Sequence, residues 1–575
     1  MGEPATPLPL MSNYILSLHA GHNASAAIGD ASGLQYAIQE ERLTGEKNYW
    51  GFPRQAIRSC LDQVGASPSD VGTIAIGSHQ VIARYHTRQD VLKAYQRQET
   101  LVGKLRQRLA MPLLLTLKPD WGQSGLHERL DKMGLAGAPV VHYDHHLSHA
   151  ATAYYGLRNN HDEECLIVTC DGMGDNICAT IHVARRGDFT EVARTHWDNS
   201  LGAIYSWVTY AMGFVPLEHE YKLMGMAPYA PEKAARETAE IFHAYLGLDE
   251  DGLRFKRKVL GRTNDLSERL FSDLRGKRFD YICAGLQLFT ETILTQWIQN
   301  AVRKTGVRRV LGAGGVFMNV KANQQIAALD EVESFEAFPS CGDETLPLGA
   351  LWLELAKQQG AESVPSLKHF YLGDDLDADA TRSAVESSGL SWEKPDDMAS
   401  AVVALLSQGK PVARCAGRME FGARALGNRS ILADPRNQDV VRIINQMVKK
   451  RDFWMPFAPM MMAEHHEEYV QNPKGLRSPY MMMTFDTREN FRDLIAAVHN
   501  ADLTCRAQLL TSDQNPEMHS ILSKWRETTG SAVILNTSFN LHGFPIVRTA
   551  KEAIDVVQAS GLEHLQVGEY LVHKT

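Results

Sequence analysis

Tyr14-Ile15-Leu16-Ser17-Leu18, then the small-residue turn Ala20-Gly21-His22-Asn23, then Ala26-Ala27-Ile28, is the stretch on which the fold turns. Two short apolar runs joined by such a turn read as a β-hairpin inside a sheet. Working outward, further strand-like runs occur at 73–77, 166–170 and 309–312, with helical patterns between them. That alternation makes this part of the chain α/β.

At 575 residues the chain is too long for a single core and is read as at least two domains. A linker composition at 358–366 places the boundary near Pro365. Residues 1–11 read as a disordered tail and 12–365 as the first domain, with a charged helical insertion at 84–133. Residues 366–575 form the second α/β domain, where arginines become dense and methionines cluster. A net charge of -9 argues against a general nucleic-acid binder. No apolar run approaches the roughly 18 residues of a spanning helix, so no membrane insertion is expected. The first ten residues lack the basic start and apolar core of a secretory signal. The eight cysteines contain no C-x-x-C pair, which suits buried thiols in a reducing cytoplasm.

His145-His146-Leu147-Ser148-His149 heads an alanine-rich segment of helical composition. On a helix, His145 and His149 share a face one turn apart, as a two-point metal site requires. Asp171 opens the turn 171–175 after the strand ending at Cys170, and Asp343 lies in a turn before another helix. Carboxylates at strand ends converge where open α/β sheets hold ligands, although either aspartate also suits a helix cap. Two imidazoles with two carboxylates suit iron, manganese or zinc more than calcium.

Gly312-Ala313-Gly314-Gly315-Val316 follows a strand and precedes Asn319 and Asn323. Glycines let the backbone approach a ligand, and the two amides can meet a base or ribose; a plain tight turn fits as well. His22, at the hairpin tip, is placed to act as a base or to orient an acceptor hydroxyl. Seven arginines lie between Arg414 and Arg451, separated mostly by small and apolar residues, with Lys449 and Lys450 beside them. Such guanidinium and ammonium groups suit phosphate oxygens. Asn536-Thr537-Ser538-Phe539-Asn540, and Arg506 with Gln508, add polar groups to the same module. The residues alone say that it binds polyphosphate.

Together these segments resemble the O-carbamoyltransferases of antibiotic and nodulation-factor biosynthesis, including the tobramycin, cephamycin, novobiocin and ansamycin enzymes. The resemblance runs from about Tyr14 to Lys574. It rests on His22-Asn23-Ala24-Ser25-Ala26-Ala27, Glu40-Glu41-Arg42-Leu43-Thr44, Gly51-Phe52-Pro53, the histidine segment 145–149, Glu220-Tyr221-Lys222-Leu223-Met224-Gly225, Gly314-Gly315-Val316, the arginine segments 417–422 and 424–432, and 536–540. It implies an N-terminal domain like the tRNA threonylcarbamoyladenosine transferase, with an actin-like ATPase fold. It implies a C-terminal domain like the threonylcarbamoyl-adenylate synthase.

By the same resemblance, carbamoyl phosphate and MgATP give carbamoyl-adenylate and pyrophosphate at the C-terminal site. The carbamoyl group then passes to a hydroxyl of a small natural product at the N-terminal site. The metal ligands would be His145, His149, Asp171 and Asp343, holding Fe2+ foremost, with Mn2+ or Zn2+ as alternatives. Gly314, Gly315, Asn319 and Asn323 would meet the adenosine, and His22 would be the acceptor-side catalytic histidine. Lys449 and Arg451 would act on carbamoyl phosphate and ATP, bound by Arg418, Arg424, Arg429, Arg506, Ser538 and Asn540. Two departures stand out. Asn23 replaces the family's usual Asp, and Met455 stands where the family usually has Arg. Competing readings are a fused tRNA threonylcarbamoylation enzyme, a hydrogenase-maturation carbamoyltransferase, disfavoured by the missing C-x-x-C motifs, and a nucleotide-gated binding protein.

Overall fold

The computed structural model describes residues 14–98, 122–157, 160–449, 451–489 and 491–574. The expected tail at 1–11, residues 99–121 of the expected insertion, and Lys450 lie outside the described residues.

The opening stretch forms β1 (Tyr14–His19) and β2 (Ser25–Asp30), paired antiparallel and continued by β3 (Gly33–Gln39). β4 (Val71–Ile76) and β5 (Val140–His142) add to the other side of β1 in parallel, giving the order β3-β2-β1-β4-β5. The plan then repeats. β6 (Cys165–Gly174), β7 (Ile177–Arg185) and β8 (Asp188–His196) form an antiparallel meander. β9 (Arg309–Ala313) and β10 (Ser334–Ala337) join β6 in parallel, for the order β8-β7-β6-β9-β10. Two sheets of one topology facing each other are the arrangement expected of an actin-like core. Central strands are apolar without alternation because both faces are covered: Leu166, Ile167 and Val168 are fully buried.

Four helices position the site: α1 (His145–Leu157), α2 (Glu220–Met226), α3 (Val320–Ala328) and α4 (Leu346–Gln359). α1 follows β5 of the first sheet yet packs on β6 and β9 of the second. α4 follows β10 of the second sheet and packs on β1 of the first, and the two helices cross in the middle. Gly349 permits the crossing, since a Cβ there would lie 2.0 Å from the Ser148 carbonyl oxygen. The N-terminal ends of α1 and α4 therefore meet between the sheets.

One expectation needs correcting. The turn after Cys170 is not at 171–175: β6 leaves its ladder after Cys170, re-pairs at Gly174, and turns at Asp175 and Asn176, both left-handed (φ 50° and 67°). The irregularity swings Asp171 out of the ladder toward α1.

The C-terminal part builds an eight-stranded mixed sheet from β11 (Ser391–Glu393), β12 (Val412–Cys415), β13 (Arg429–Ala433), β14 (Ala458–Met462), β15 (Gln508–Leu510), β16 (Val533–Ser538), β17 (His564–Val567) and β18 (Tyr570–His573). Its order is β11-β18-β17-β12-β13-β16-β14-β15. Main-chain groups carry much of the seam with the first two sheets. Ala37 N–H donates to the Leu372 carbonyl at 3.1 Å, and Arg42 donates to the Gly422 carbonyl at 2.6 Å. On another side, Lys222 of α2 pairs with Asp452 at 2.9 Å, and Trp454 Nε1 donates to the Lys222 carbonyl at 3.1 Å. All eight cysteines are buried. Among the described residues no helix is long and apolar enough to cross a membrane.

Candidate metal centre and anion site

His145 and His149 occupy the first two turns of α1. Asp171 comes from the irregular end of β6, and Asp343 from the 3-10 turn Asp343–Thr345 that leads into α4. One ligand atom from each of the four lies within 4.8 Å of the others. Asp171 Oδ2 is 3.7 Å from His145 Nε2 and 3.2 Å from His149 Nε2; Asp343 Oδ1 is 3.7 and 3.6 Å from the same two nitrogens. Both Nε2 atoms and Asp171 Oδ2 are buried with no hydrogen-bond partner. Buried polar atoms left unpaired are costly, and here three of them converge with a fourth carboxylate oxygen. The residues fit a divalent cation of the borderline class.

The surroundings hold this set in place. The Asp175 carboxylate accepts from Ser78 Oγ (2.8 Å), from the N–H of His79 and Gln80, and from His145 N–H (2.9 Å), pinning the first turn of α1. His146 faces away, its Nδ1 2.8 Å from Thr169 Oγ1. Burial alone would push the His145 pKa down, but the Asp171 and Asp343 carboxylates outweigh it and raise it to about 9. Burial pushes Asp171 up, and the two imidazoles reverse this, holding it well below the usual carboxylate range.

His22 sits on a two-residue ribbon paired with Trp50–Gly51, its ring edge-on to Trp50 at 5.4 Å. Burial lowers its pKa, opposed by the Asp343 and Asp171 carboxylates, which lie near enough to act on it. Asn23 is left-handed (φ 59°) and points its amide at Glu344 Oε2, 3.5 Å away. Glu344 is buried beside Ser340 and Asp343, and burial raises it to about 7.

The glycine loop lies against the same centre. A Cβ on Gly314 (φ 93°) would come within 2.5 Å of the Cys170 carbonyl, and one on Gly315 within 3.2 Å of Asp171 Oδ1. Asn319 caps α3, accepting from Ala322 N–H (3.0 Å) and bonding Gln287. Asn323 departs from the expectation. It is fully buried and its Nδ2 donates to the carbonyls of Phe317 and Met482, both at 2.7 Å, so that side of its amide ties the loop to the C-terminal part, while its Oδ1 is buried without a partner.

In the C-terminal part, Lys449 Nζ reaches Ser538 Oγ (3.0 Å) and Asn540 Oδ1 (2.7 Å). Arg451 donates to the Pro456 carbonyl (2.9 Å) and Thr537 Oγ1 (3.2 Å). Arg424 and Arg506 make no hydrogen bond or ion pair among the described residues, and the Nε of each is buried and unpaired. Burial depresses all four cations: Arg424 below its ordinary value, Lys449 and Arg506 well below theirs, and Arg451 to about 10, with Arg424 and Arg451 adding to the fall at Arg506. Crowded cations without a carboxylate make an anion site. Arg424 also feels Tyr221, Cys341 and Glu344, groups of the N-terminal part across the seam.

Two expected phosphate ligands are elsewhere. Arg418 donates to the carbonyls of Gln35, Leu372 and Gly373, and fully buried Arg429 to those of Ala416, Gly417, Asn428 and Arg548. Both guanidiniums bond backbone oxygens, although Arg429 Nη2 is buried without a partner. Met455 packs its sulfur against Gly225 of α2. Sequence reasoning passed over His19, whose Nε2 lies 3.1 Å from the His22 carbonyl and 3.8 Å from Asp343 Oδ2. The available signal was its place on the face of β1 shared by Ile15 and Ser17.

Residues 15–351 match the family model described as Carbamoyltransferase N-terminus, and 403–574 that described as Carbamoyltransferase C-terminus. The nodulation protein NolNO of Sinorhizobium fredii is 30% identical over 96% of this chain and 79% of its own. The nodulation protein NolO of Bradyrhizobium diazoefficiens is 31% identical over 75% of this chain and 79% of its own. Among solved structures, component A of (R)-2-hydroxyglutaryl-CoA dehydratase from Acidaminococcus fermentans has a TM-score of 0.34 at 14% identity, covering 60% of this chain and 99% of that one. Full-length HypF has a TM-score of 0.33 at 14% identity, covering 61% of this chain and 56% of that one. Matched in both regions over most of its length, the chain belongs to the carbamoyltransferase family and is an enzyme that transfers carbamoyl groups.

Proposed function

We propose that the chain is an ATP-dependent O-carbamoyltransferase working in the cytoplasm as two domains divided near Pro365. Water hydrolyses carbamoyl phosphate to carbamate and phosphate in the C-terminal domain. The resulting carbamate oxygen attacks the α-phosphorus of MgATP, expels pyrophosphate and leaves carbamoyl-adenylate. The N-terminal domain then directs a hydroxyl of a small natural product onto the carbamoyl carbon, and AMP departs. Lys449, Arg451, Arg424 and Arg506 offset the phosphate charge, strongly so in a site that excludes water. A ring nitrogen of neutral His22 takes the hydroxyl proton. Gly314 and Gly315 let the adenylate approach Asp171, while Asp175 holds α1 in position. A divalent ion held by His145, His149, Asp171 and Asp343, Fe2+ foremost, supplies Lewis acidity to a carbonyl or phosphate oxygen when bound.

The observation that supports this most is Arg424, which belongs to the cation cluster and neighbours Glu344 beside the metal set. A reactive mixed anhydride passing between the two would meet little water. The test is incubation with carbamoyl phosphate, ATP and divalent ions, following phosphate, pyrophosphate and AMP. His149→Ala should still release pyrophosphate but carbamoylate no hydroxylated acceptor. Loss of both steps together would sink the two-site reading.

A further inference from the structure

His19 has no part in the chemistry above, yet it is buried within reach of two groups that do. β1 and β2 pair so that His19 stands opposite Ser25. Cross-strand partners share a face, and both reach the turn before α4: Ser25 Oγ donates to the Glu344 carbonyl at 2.8 Å, and His19 Nε2 lies 3.8 Å from Asp343 Oδ2. The same Nε2 is 3.1 Å from the His22 carbonyl oxygen. A carbonyl only accepts, so Nε2 carries the proton, and an imidazole nitrogen bearing a proton is not a metal ligand. Asp343 is thus addressed from both sides: Oδ1 faces His145 and His149, and Oδ2 faces the N–H of His19. At 3.8 Å that second contact is electrostatic, longer than a formed hydrogen bond. Glycine at 21 keeps the space open, since a Cβ there would lie 3.0 Å from His19 Nε2.

We propose that His19 is a positioning residue that, through its Nε2–H, orients the Asp343 carboxylate toward the metal and fixes the His22 backbone beside it. The inference rests on the reading of His145, His149, Asp171 and Asp343 as a metal site. Hydrogen bonds to ligating groups set their orientation, and losing such a partner typically weakens binding by about 10–100-fold.

The test titrates Mn2+ and Co2+ into the full-length protein calorimetrically and records the visible absorption of the Co2+ form. Four proteins are compared: wild type, His19→Leu, His19→Asn and His19→Gln. Glutamine Nε2 places an N–H where the imidazole places its own, whereas asparagine falls short and leucine has none. Leucine and asparagine should weaken both ions by about tenfold or more and alter the Co2+ spectrum. Glutamine should stay within about threefold of wild type, and pyrophosphate release should be unchanged in all four. Wild-type affinity and spectrum in the leucine or asparagine variant would overturn the proposal, as would a glutamine variant as weak as leucine. Should the leucine variant fail to fold, the asparagine–glutamine comparison decides alone. If wild type takes up neither ion, the metal reading falls and carries this inference with it.

Discussion

Removing Arg506 should make the ligand-free enzyme more stable and blind to pyrophosphate. Arg506 makes no hydrogen bond or ion pair among the described residues, its Nε is buried and unpaired, and Arg424 and Arg451 crowd it. Arg451, in the same cluster, gauges the cost: its pKa falls from 12.5 to about 10 through burial, with Arg424 adding to it. That fall is roughly 3 kcal/mol against the charged form. The folded pKa lies below the unfolded one, so the cost is fully present at every pH below about 10 and fades only toward 12.5. At neutral pH it is undiminished. Lost packing and partial solvent screening reduce the gain from Arg506→Met to about 1–2 kcal/mol. For a unit of about 200 residues that is a rise in melting midpoint of roughly 2–8 °C.

The assay is a thermal melt at fixed scan rate with and without magnesium pyrophosphate. Wild type should gain about 2.7 kcal/mol at a ligand concentration of about 100 Kd, and the variant little. A variant that melts at or below wild type without ligand, or that keeps the full pyrophosphate response, would refute the account of these arginines as an anion site held at a cost.

Metal uptake should release protons. Asp171 and Asp343 raise His145 to about 9, so below that pH the ion must displace a proton from it. Apparent Mn2+ affinity should then fall about tenfold per pH unit between about 9 and 7, measured by calorimetry in buffers of different ionisation enthalpy. Asn323→Ala removes two buried hydrogen bonds and should cost about 2–4 kcal/mol in urea unfolding while leaving the KM for ATP within about twofold. A large KM change with unchanged stability would return Asn323 to the ligand side. Arg429→Met removes a donor from four backbone carbonyls, of which Ala416 and Asn428 keep another, from Arg414 and the Ala416 N–H. It should destabilise the C-terminal sheet by about 3 kcal/mol or more, read as a lower urea midpoint.

The hairpin of residues 14–28 was legible because short apolar runs and a small-residue turn are local properties. The metal set was legible in part for the same reason: an i,i+4 histidine pair declares itself on a helix, and carboxylates after apolar strands declare a sheet edge. That Arg418, Arg429 and Asn323 donate to backbone carbonyls was not legible, for a physical reason. A guanidinium aimed at phosphate and one aimed at carbonyls have the same sequence neighbourhood, and only the tertiary path of 372–373, 416–417 and 482 decides between them. His19 stayed hidden because a histidine ending an apolar strand looks like the start of a turn. Its meaning depends on Asp343, more than 300 residues away.

The peptide groups along the seam have a consequence for how this enzyme can change over time. Gln35, Leu372 and Gly422 contribute to it through their carbonyl oxygens, which every amino acid carries. Substitutions at those positions that keep the backbone path leave the acceptors in place, while Arg418 and Arg42 supply specific donors. At those contacts the join between the N- and C-terminal parts is written in chain geometry on one side and in side-chain identity on the other. Gln35 can drift without loss of its acceptor, whereas Gly422 (φ 91°) cannot, since a Cβ there would lie 2.5 Å from Ser340 Cβ.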